Sequence, residues 1–584
     1  MIGSQVNKKA RKNVASRKVT AITQKERLTQ KRQRQQTAQK LVSSVVAAIL
    51  LAAILGVSVI LTVGVREGII LGLGVPILVL SFRYPRQALW VFLIYLPFSG
   101  TVVYSSIGKG NTWFQLAKDI AYLPALFGLM YECKRKQLPI FIPKNLMPTL
   151  GILLFFSLLT LFIVNGMQEF LPDCSSLSDV EKFIRDANGE WIINPETGNA
   201  ISTPCKTGNP FLQGVLGLKV LLGYVPLIFL AQYLIEDKKK LLFFGRLLVV
   251  LAIICCVLGI MQYWMLKTGR CKGTEGLGMS GLELFKPNLD ARCLVGGSLL
   301  YSPSQGVIRL PGTFSSPWHW AWFLVGNAVI SYTVAFSDLS RFWRVVGMAG
   351  MALTIINAVI CGQRLAFILV PAIIVVLLIL TGQIANLKQF IPLGIGMVIL
   401  LFVGFSLFNP DFIQERIDSF VGRWNTSPPQ LFLQNQINFV LENNGGILGQ
   451  GLGKGTLSTR LFGPTSLIET FHAKLFFEIG ILGFFAFMGF VTHLVIIAFK
   501  SFSSVRDHSL RNFGSSFWVF ILIISYLPYW YPLDTDPVAV YYWLFAGIIF
   551  KLPEIDKQER DALQTIEEGA PLQKKKILTS RKNK

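Results

Sequence analysis

The chain has 584 residues, of which 52% are apolar, and its mean hydropathy is +0.52. This composition excludes an ordinary soluble globular protein, because apolar runs of about 18 or more residues, each bounded by charged residues, recur along most of the length. Inside a bilayer only helices and closed barrels satisfy the hydrogen bonds of the backbone. The sequence therefore predicts an all-α polytopic membrane protein.

The net charge of +24 has two explanations, nucleic-acid binding and the positive-inside rule of membrane proteins. The cations concentrate in the tails and in alternate loops, which favours the second explanation and predicts no nucleic-acid partner. Residues 1–40 contain twelve Lys or Arg residues and one acid, Glu26. We expect a basic cytoplasmic tail lying against anionic membrane lipids. The first apolar run starts near Leu41, far behind this basic segment, so we expect a signal anchor and no cleavable signal peptide.

Hydropathy predicts about fourteen membrane spans. The predicted ranges, in chain order, are 41–63, 68–82, 88–104, 113–131, 147–165, 213–235, 241–266, 317–337, 345–361, 364–381, 390–408, 473–499, 514–531 and 538–551. The second and third are short enough to form a re-entrant pair, which would lower the count to about twelve. We group them into transmembrane regions 41–408 and 473–552, and residues 553–584 are predicted to be a second cytoplasmic tail.

The predicted orientation follows from alternating loop charge. With the N-terminus inside, each inner loop carries Lys or Arg, whereas the short outer links carry one basic residue or none. Three long segments then lie outside, at 166–212, 267–316 and 409–472. The last of them is the largest and connects the eleventh and twelfth spans. Both termini are expected in the cytoplasm.

The cysteines test this orientation independently. Cys174 and Cys205 lie in the first long outer loop, and Cys271 and Cys293 lie in the second. Two cysteines per loop are typical of disulfides in an oxidising compartment, so we predict one disulfide in each. The four other cysteines form no CxxC pair and have no nearby histidine cluster, so no metal site is predicted.

Three apolar helices are predicted to begin on the outer side with a basic residue. They follow the stretches RLPGTFSSPWHW (309–320), CGQR (361–364) and FHAK (471–474). A helix N-terminus offers unpaired N–H groups and a partial positive charge. Together with Arg309, Arg364 and His472, three such ends predict a site for a phosphate or diphosphate.

For two of these residues, a purely structural role at the membrane interface stays open. Arg364 is either a ligand or an arginine whose side chain extends to the membrane interface, and the shortness of its turn favours a ligand. His472 is either a catalytic base or an interface histidine. Gly483 follows eleven residues later and is expected on the same helix face, where it would allow close approach of another group.

Two further residues compete for functional roles. Glu478 lies at i+4 from Lys474, so the two are expected to pair with each other, and a His–Glu dyad is disfavoured. His319 is a rival base, with neighbouring tryptophans at 318 and 320 that suit either a membrane interface or sugar stacking. The stretch GILGQGLGKGT (446–456) lacks the spacing of a Walker phosphate loop and is expected to be a glycine-rich connector.

Taken together, these stretches resemble the bacterial O-antigen ligase and O-antigen polymerase superfamily. RLPGTFSSPWHWAWFL resembles the family's Arg–Gly–Thr–Phe–Pro segment, GQRLAFILVPAIIVVLL resembles its short arginine turn, and HAKLFFEIGILGFF resembles its loop-exit histidine motif. The glycine-rich stretch at 446–456 is similar to the segment that ends the family's large loop. The resemblance covers about residues 300–490. It departs from the family pattern at Ala473, where Asn is common, and at Gln430, where the loop helix often begins with Arg.

The resemblance implies a GT-C-like membrane glycosyltransferase in the bacterial inner membrane. Its substrate would be a glycan linked to undecaprenyl diphosphate, with no cofactor and no metal, and transfer would invert the anomeric centre. His472 would be the base, and Arg364 would bind the diphosphate. A further loop arginine is expected at Arg423, with Arg416 as the competitor.

The nature of the acceptor remains open. A polymerase would extend another lipid-linked glycan, and a ligase would use lipid A core or a protein; a polymerase is slightly favoured. Proteins that control polysaccharide chain length or export are further expected partners. The alternative functions are transport of a small anion such as bicarbonate and a non-catalytic scaffold for polysaccharide assembly. Transporters tend to place ionisable residues in mid-span, and here the candidates are few: Lys118, Asp119 and Lys219.

Overall fold

The computed structural model describes residues 35, 39, 42–62, 64–105, 108, 117–139, 143–176, 203–303, 306–383, 414, 418, 421–422, 424–425, 428–443, 445–528 and 532–569. These residues are mostly helical. Much of the basic tail at 1–40, the predicted span at 390–408 and the last residues of the chain lie outside them.

The α-helices follow the predicted apolar segments closely. In chain order they are α1 (Val42–Thr62), α2 (Val65–Arg83), α3 (Pro85–Tyr95), α4 (Ser99–Val103), α5 (Ala117–Lys136), α6 (Met147–Leu159), α7 (Gly166–Glu169), α8 (Pro210–Leu222), α9 (Leu227–Leu234), α10 (Lys238–Lys267), α11 (Pro317–Ser337), α12 (Arg341–Ile360), α13 (Arg364–Leu380), α14 (Pro429–Glu442), α15 (Phe471–Ser503), α16 (His508–Tyr526) and α17 (Val538–Gly569). A π-helical segment, Thr160–Asn165, joins α6 to α7.

Within the described residues, eight helical segments are long and apolar enough to cross a membrane. They are Val42–Thr62, Pro85–Val103, Lys144–Glu169, Lys238–Lys267, Pro317–Ser337, Arg341–Ile360, Phe471–Ser503 and Val538–Gln564. Helices α8 and α9 would make a ninth span, bent by 45°. Four further helices, α2, α5, α13 and α16, occupy predicted spans but are shorter, or carry charged or polar residues at an end. The predicted span at 390–408 lies outside the described residues, so the count of fourteen stays a prediction.

Two segments outside the predicted spans contain secondary structure of their own. The predicted tail at 553–584 begins as a continuation of α17, because residues 554–569 are rich in helix-forming Glu, Lys, Gln and Ala. The loop at 267–316 contains a small antiparallel hairpin, β1 (Leu300–Ser302) with β2 (Val307–Arg309).

The structure divides into two compact units. The first comprises Met1–Phe92 and Leu116–Glu132, and the second comprises Leu93–Gln115 and Cys133–Lys584. In the first unit, α1 and α2 approach through glycines: a Cβ at Gly72 would lie 2.9 Å from the carbonyl oxygen of Ala52. Small residues at such contacts let membrane helices pack backbone to backbone.

In the second unit α11 is the central helix, and 94% of its most apolar stretch is buried. Its last residue, Ser337, accepts a hydrogen bond of 2.6 Å through its carbonyl from Oγ of Ser509, which lies in the first turn of α16. The two helices are therefore antiparallel. Tyr332, near the end of α11, has its hydroxyl 2.5 Å from that of Thr381, which directly follows α13. The C-terminal ends of α11 and α13 are therefore side by side, and the two helices run parallel. We call the end at which α11 and α13 begin the site end.

The opposite end of the second unit is held by ion pairs. Arg246 makes a bidentate pair with the buried carboxylate of Asp338, at 2.7 and 2.8 Å. Lys238 pairs with Asp507 at 2.8 Å. Because a bidentate Arg–carboxylate pair has fixed geometry, these contacts lock the helix connections far from the site end.

Both predicted disulfides are present. Cys174 is bonded to Cys205, and Cys271 is bonded to Cys293. The other four cysteines, at 133, 255, 256 and 361, are buried. Each bond closes one of the segments that loop charge assigned to the outer side. The expectation that these segments face an oxidising compartment stays a prediction.

Candidate functional site

His472 is the second residue of α15. Its Nε2 atom lies 3.2 Å from the carbonyl oxygen of Ser525, in the last turn of α16. A carbonyl only accepts, so the neutral ring carries its hydrogen on Nε2, and Nδ1 is left as an acceptor with an available lone pair. Nδ1 is buried and has no partner within the described residues. The side chain is therefore oriented by one nitrogen and available for proton transfer at the other.

His472 and Arg364 are at the same end of the bundle. Because α16 is antiparallel to α11, Ser525 lies at the site end, and His472 lies there with it. Arg364 is the first residue of α13, which also begins at the site end. The expectation that these two residues share one side of the bundle is thus met by the helix contacts.

Arg309 lies against the turn that precedes Arg364. The N–H of Leu310 donates to the carbonyl of Cys361 at 3.0 Å, and a Cβ at Gly362 would lie 3.4 Å from Cα of Arg309. The guanidinium of Arg309 donates to the hydroxyl of Ser302 at 2.7 Å. The backbone at Arg309 therefore lies beside the turn that leads into Arg364.

His319 has a structural partner. Its Nδ1 atom lies 2.6 Å from the hydroxyl of Ser316, the residue that precedes α11. The neighbouring Trp320 is fully buried against Gly312 and Phe314, so it is neither an interface residue nor a sugar-stacking surface. The sequence could not show that Trp320 is a core residue. The apolar pattern of α11 is that of an ordinary membrane span, whereas in the structure this helix is the core of the bundle.

The expectation that His472 and Gly483 share a helix face is wrong. It assumed a continuous helix, but α15 is broken at Gly480, where φ is 65° and ψ is −171°. This conformation is accessible almost only to glycine. The rings of Phe471 and Phe484 come near that of His472, with centroids 6.2 and 6.4 Å away. Gly483 instead packs against the side chain of Ile479.

The break in α15 is filled by residues 445–456, which we call the glycine segment. The N–H groups of Gln450 and Gly451 donate to the carbonyls of Phe477 and Glu478, at 2.8 and 3.1 Å. These carbonyls would otherwise lack partners, because the helix does not continue past Gly480. The glycine segment is thus a structural insert that satisfies the carbonyls at the break.

Lys474 and Glu478 do not pair directly, contrary to expectation. The ammonium of Lys474 pairs with the carboxylate of Asp534 and donates to the hydroxyl of Thr456 at 3.1 Å. That hydroxyl donates in turn to Oε1 of Glu478 at 2.8 Å, and the N–H of Gly455 donates to the same oxygen at 2.8 Å. Glu478 is consequently a buried anchor for the glycine segment. Asp534 and Thr456 were missed because their contacts join distant parts of the chain.

The predicted loop arginines, Arg416 and Arg423, lie outside the described residues. No group of three or more His, Cys, Asp or Glu side chains suited to a metal ion occurs in the described part of the chain. A scan against protein-family models finds no family that matches the chain, and a search of curated proteins finds no matching relative.

Proposed function

We propose that this chain is a membrane glycosyltransferase of GT-C-like fold. It transfers or polymerises glycan from an undecaprenyl-diphosphate-linked donor onto an acceptor sugar hydroxyl, on the outer face of a bacterial inner membrane. The observation that carries the proposal is the buried Nδ1 lone pair of His472, at the end of the bundle where Arg364 and Arg309 also lie. The sequence resemblance given above supplies the substrate class.

In the proposed reaction His472 is the general base. Its Nδ1 atom accepts the proton of the acceptor hydroxyl while that oxygen attacks the anomeric carbon. The bond between that carbon and the diphosphate oxygen breaks, and the diphosphate departs with the electron pair. In-line attack inverts the anomeric centre. Proton transfer to a positioned histidine contributes about 10²- to 10⁴-fold to such rates.

Arg364 and Arg309 are proposed to bind the diphosphate, together with a loop arginine at Arg423 or Arg416. Negative charge accumulates on the diphosphate as the glycosidic bond breaks. Fixed guanidinium groups and the N–H groups at the start of α13 stabilise that charge more in the transition state than in the ground state. A carrier diphosphate is already a good leaving group, so this arrangement needs no further activation.

The test is the analysis of glycans in a strain that lacks the protein. Single lipid-linked repeat units in place of long chains would indicate a polymerase, which we favour over a ligase. Long chains that accumulate on the carrier without reaching their acceptor would indicate a ligase. Unchanged lipid-linked and surface glycans would contradict the proposal.

A further inference from the structure

The glycine segment is a rigid support for one charged side chain, that of Lys454. Leu452, two residues before Lys454, is held by the side-chain amide of Asn165. That amide accepts from the N–H of Leu452 at 2.8 Å and donates to the carbonyl of Leu452 at 3.0 Å. The residue after Lys454, Gly455, donates to Glu478. The carbonyl of Lys454 itself accepts from the N–H of Ser466 at 2.8 Å. The backbone position of Lys454 is therefore determined by contacts with three separate parts of the fold.

The ammonium group of Lys454 has no partner among the described residues. In the part of the chain that the structure describes, it makes no ion pair and donates no hydrogen bond, although the residue is half-buried. Burial lowers the pKa of Lys454, and no negative charge within the described residues offsets that effect. The contrast with Lys474 is direct, because the ammonium of that lysine is buried against a carboxylate and a hydroxyl.

Partial burial of an unpaired cation costs free energy, so buried charges in proteins are normally paired. Lys454 lies near the site end, because the next residue, Gly455, contacts Glu478 about two turns from the start of α15. A cation there gains a partner when an anion binds from outside the chain. A phosphate group suits this position better than a carboxylate, because it carries more charge and offers more acceptor oxygens to the three donors of an ammonium.

We propose that Lys454 binds a phosphate group of a ligand at the site end of the bundle. The phosphate belongs to a lipid-linked diphosphate or to free phosphate. Only the assignment to a lipid-linked diphosphate donor rests on the proposed function. The binding of phosphate by Lys454 does not.

The experiment uses the full chain purified in detergent, with inorganic diphosphate and farnesyl diphosphate as separate probes. A charge-assisted hydrogen bond is worth enough that Lys454→Ala should raise the Kd by roughly tenfold or more. Lys454→Arg keeps the charge and should stay within about threefold of the unchanged protein. Lys551→Ala is the matched control, because Lys551 pairs with Glu554 in the middle of α17. Its Kd should not change.

The two probes distinguish the sources of the phosphate. Weaker binding of both indicates recognition of the phosphate itself, and weaker binding of farnesyl diphosphate alone indicates a lipid-linked ligand. A loss confined to inorganic diphosphate indicates free phosphate. Equal Kd values for Lys454→Ala and the unchanged protein with both probes would overturn the inference. Thermal unfolding of each variant shows that a loss of binding is not a loss of fold.

The binding result is independent of the glycan result. Normal binding by Lys454→Ala alongside altered glycans in the deletion strain would remove the inference and leave the proposed function. Weakened binding alongside unchanged glycans would support the inference and contradict the proposed function.

Discussion

The Nε2 atom of His472 lies 3.2 Å from the carbonyl oxygen of Ser525. The last carbonyls of a helix lack N–H partners from the helix itself, so the imidazole satisfies one such group at the end of α16. The Ser525 hydroxyl lies 2.7 Å from that of Tyr542, which ties this turn to α17. The contact therefore positions the imidazole and selects the tautomer that leaves Nδ1 as the base.

His472→Gln should separate positioning from proton transfer. The glutamine amide can donate to the Ser525 carbonyl, but it cannot accept a proton at neutral pH. We expect the initial rate of glycan transfer to fall by about 10²- to 10⁴-fold while the unfolding temperature changes little. Both are measured on the purified protein with a lipid-linked donor.

The control for this substitution is His493→Gln. His493 lies further along α15, where its Nδ1 atom is 3.1 Å from the hydroxyl of Thr149. Its rate should match that of the unchanged protein. Full transfer activity in His472→Gln would refute the role of His472 as the base.

Gly480→Ala should destabilise the fold at the break in α15. The backbone there has φ of 65°, and an added Cβ would lie 2.1 Å from the carbonyl oxygen of Ile447. Backbone strain of this kind costs about 1–3 kcal/mol, and the collision adds to it. The free energy of unfolding in detergent, from denaturant titration, measures the loss.

Gly489→Ala is the matched control on the same helix. A Cβ at Gly489 would meet nothing within 4 Å. This substitution should leave the stability unchanged or raise it by up to about 1 kcal/mol, because Ala favours helix more than Gly does. If both variants were equally stable, the break would not require a glycine.

Lys474→Met should be strongly destabilising. The side chains of Lys474 and Asp534 are only 3% and 12% exposed, so removal of the ammonium leaves a buried carboxylate without its counter-charge. Loss of one partner from a buried pair costs about 3–5 kcal/mol. Denaturant unfolding measures the effect, and the double variant Lys474→Met with Asp534→Asn should recover part of it.

The comparison is Lys240→Met. Lys240 pairs with Glu236, and each side chain is 41% exposed. An exposed pair of this type contributes about 0–1 kcal/mol, so the stability should change little. A similar loss in both variants would show that burial of the Lys474 pair is energetically unimportant.

Asp507 should make the stability depend on pH in the acid range. Burial by itself would raise the pKa of Asp507, but hydrogen bonds from Lys238 and from the N–H of Leu510 outweigh it and lower the pKa below its ordinary value. A carboxyl with a lowered folded-state pKa stabilises the fold above its unfolded pKa, about 3.9, and loses that contribution as the pH falls through the folded value.

We therefore expect the unfolding temperature to fall below about pH 4. Asp507→Asn should be less stable than the unchanged protein at pH 7 and should show a shallower fall between pH 7 and pH 3. Thermal unfolding across this range is the measurement. Equal slopes for the two proteins would assign the acid sensitivity to other groups.

The candidate site was only partly predictable. His472 and Arg364 could be chosen from the sequence, because a basic residue at the start of an apolar helix is conspicuous against the hydropathy of its surroundings. The partners of those residues could not be chosen. Ser525 contributes a backbone carbonyl, which carries no sequence signal. Lys454 looked like part of a glycine-rich connector, because the side chain that holds the preceding Leu452 is that of Asn165, nearly 300 positions earlier.

The sequence by itself predicted the apolar helices that the described residues form and both disulfide pairs. These features depend on local hydropathy patterning and on the placement of cysteines within single loops. Tertiary structure decided where a helix breaks and which charges pair. The helix breaks at Gly480 because the glycine segment inserts there. Lys474 pairs with Asp534 and not with Glu478, which is closer in sequence, because the fold brings Asp534 against it. Sequence spacing sets which residues share an unbroken helix, but only packing between distant segments determines whether that helix stays unbroken.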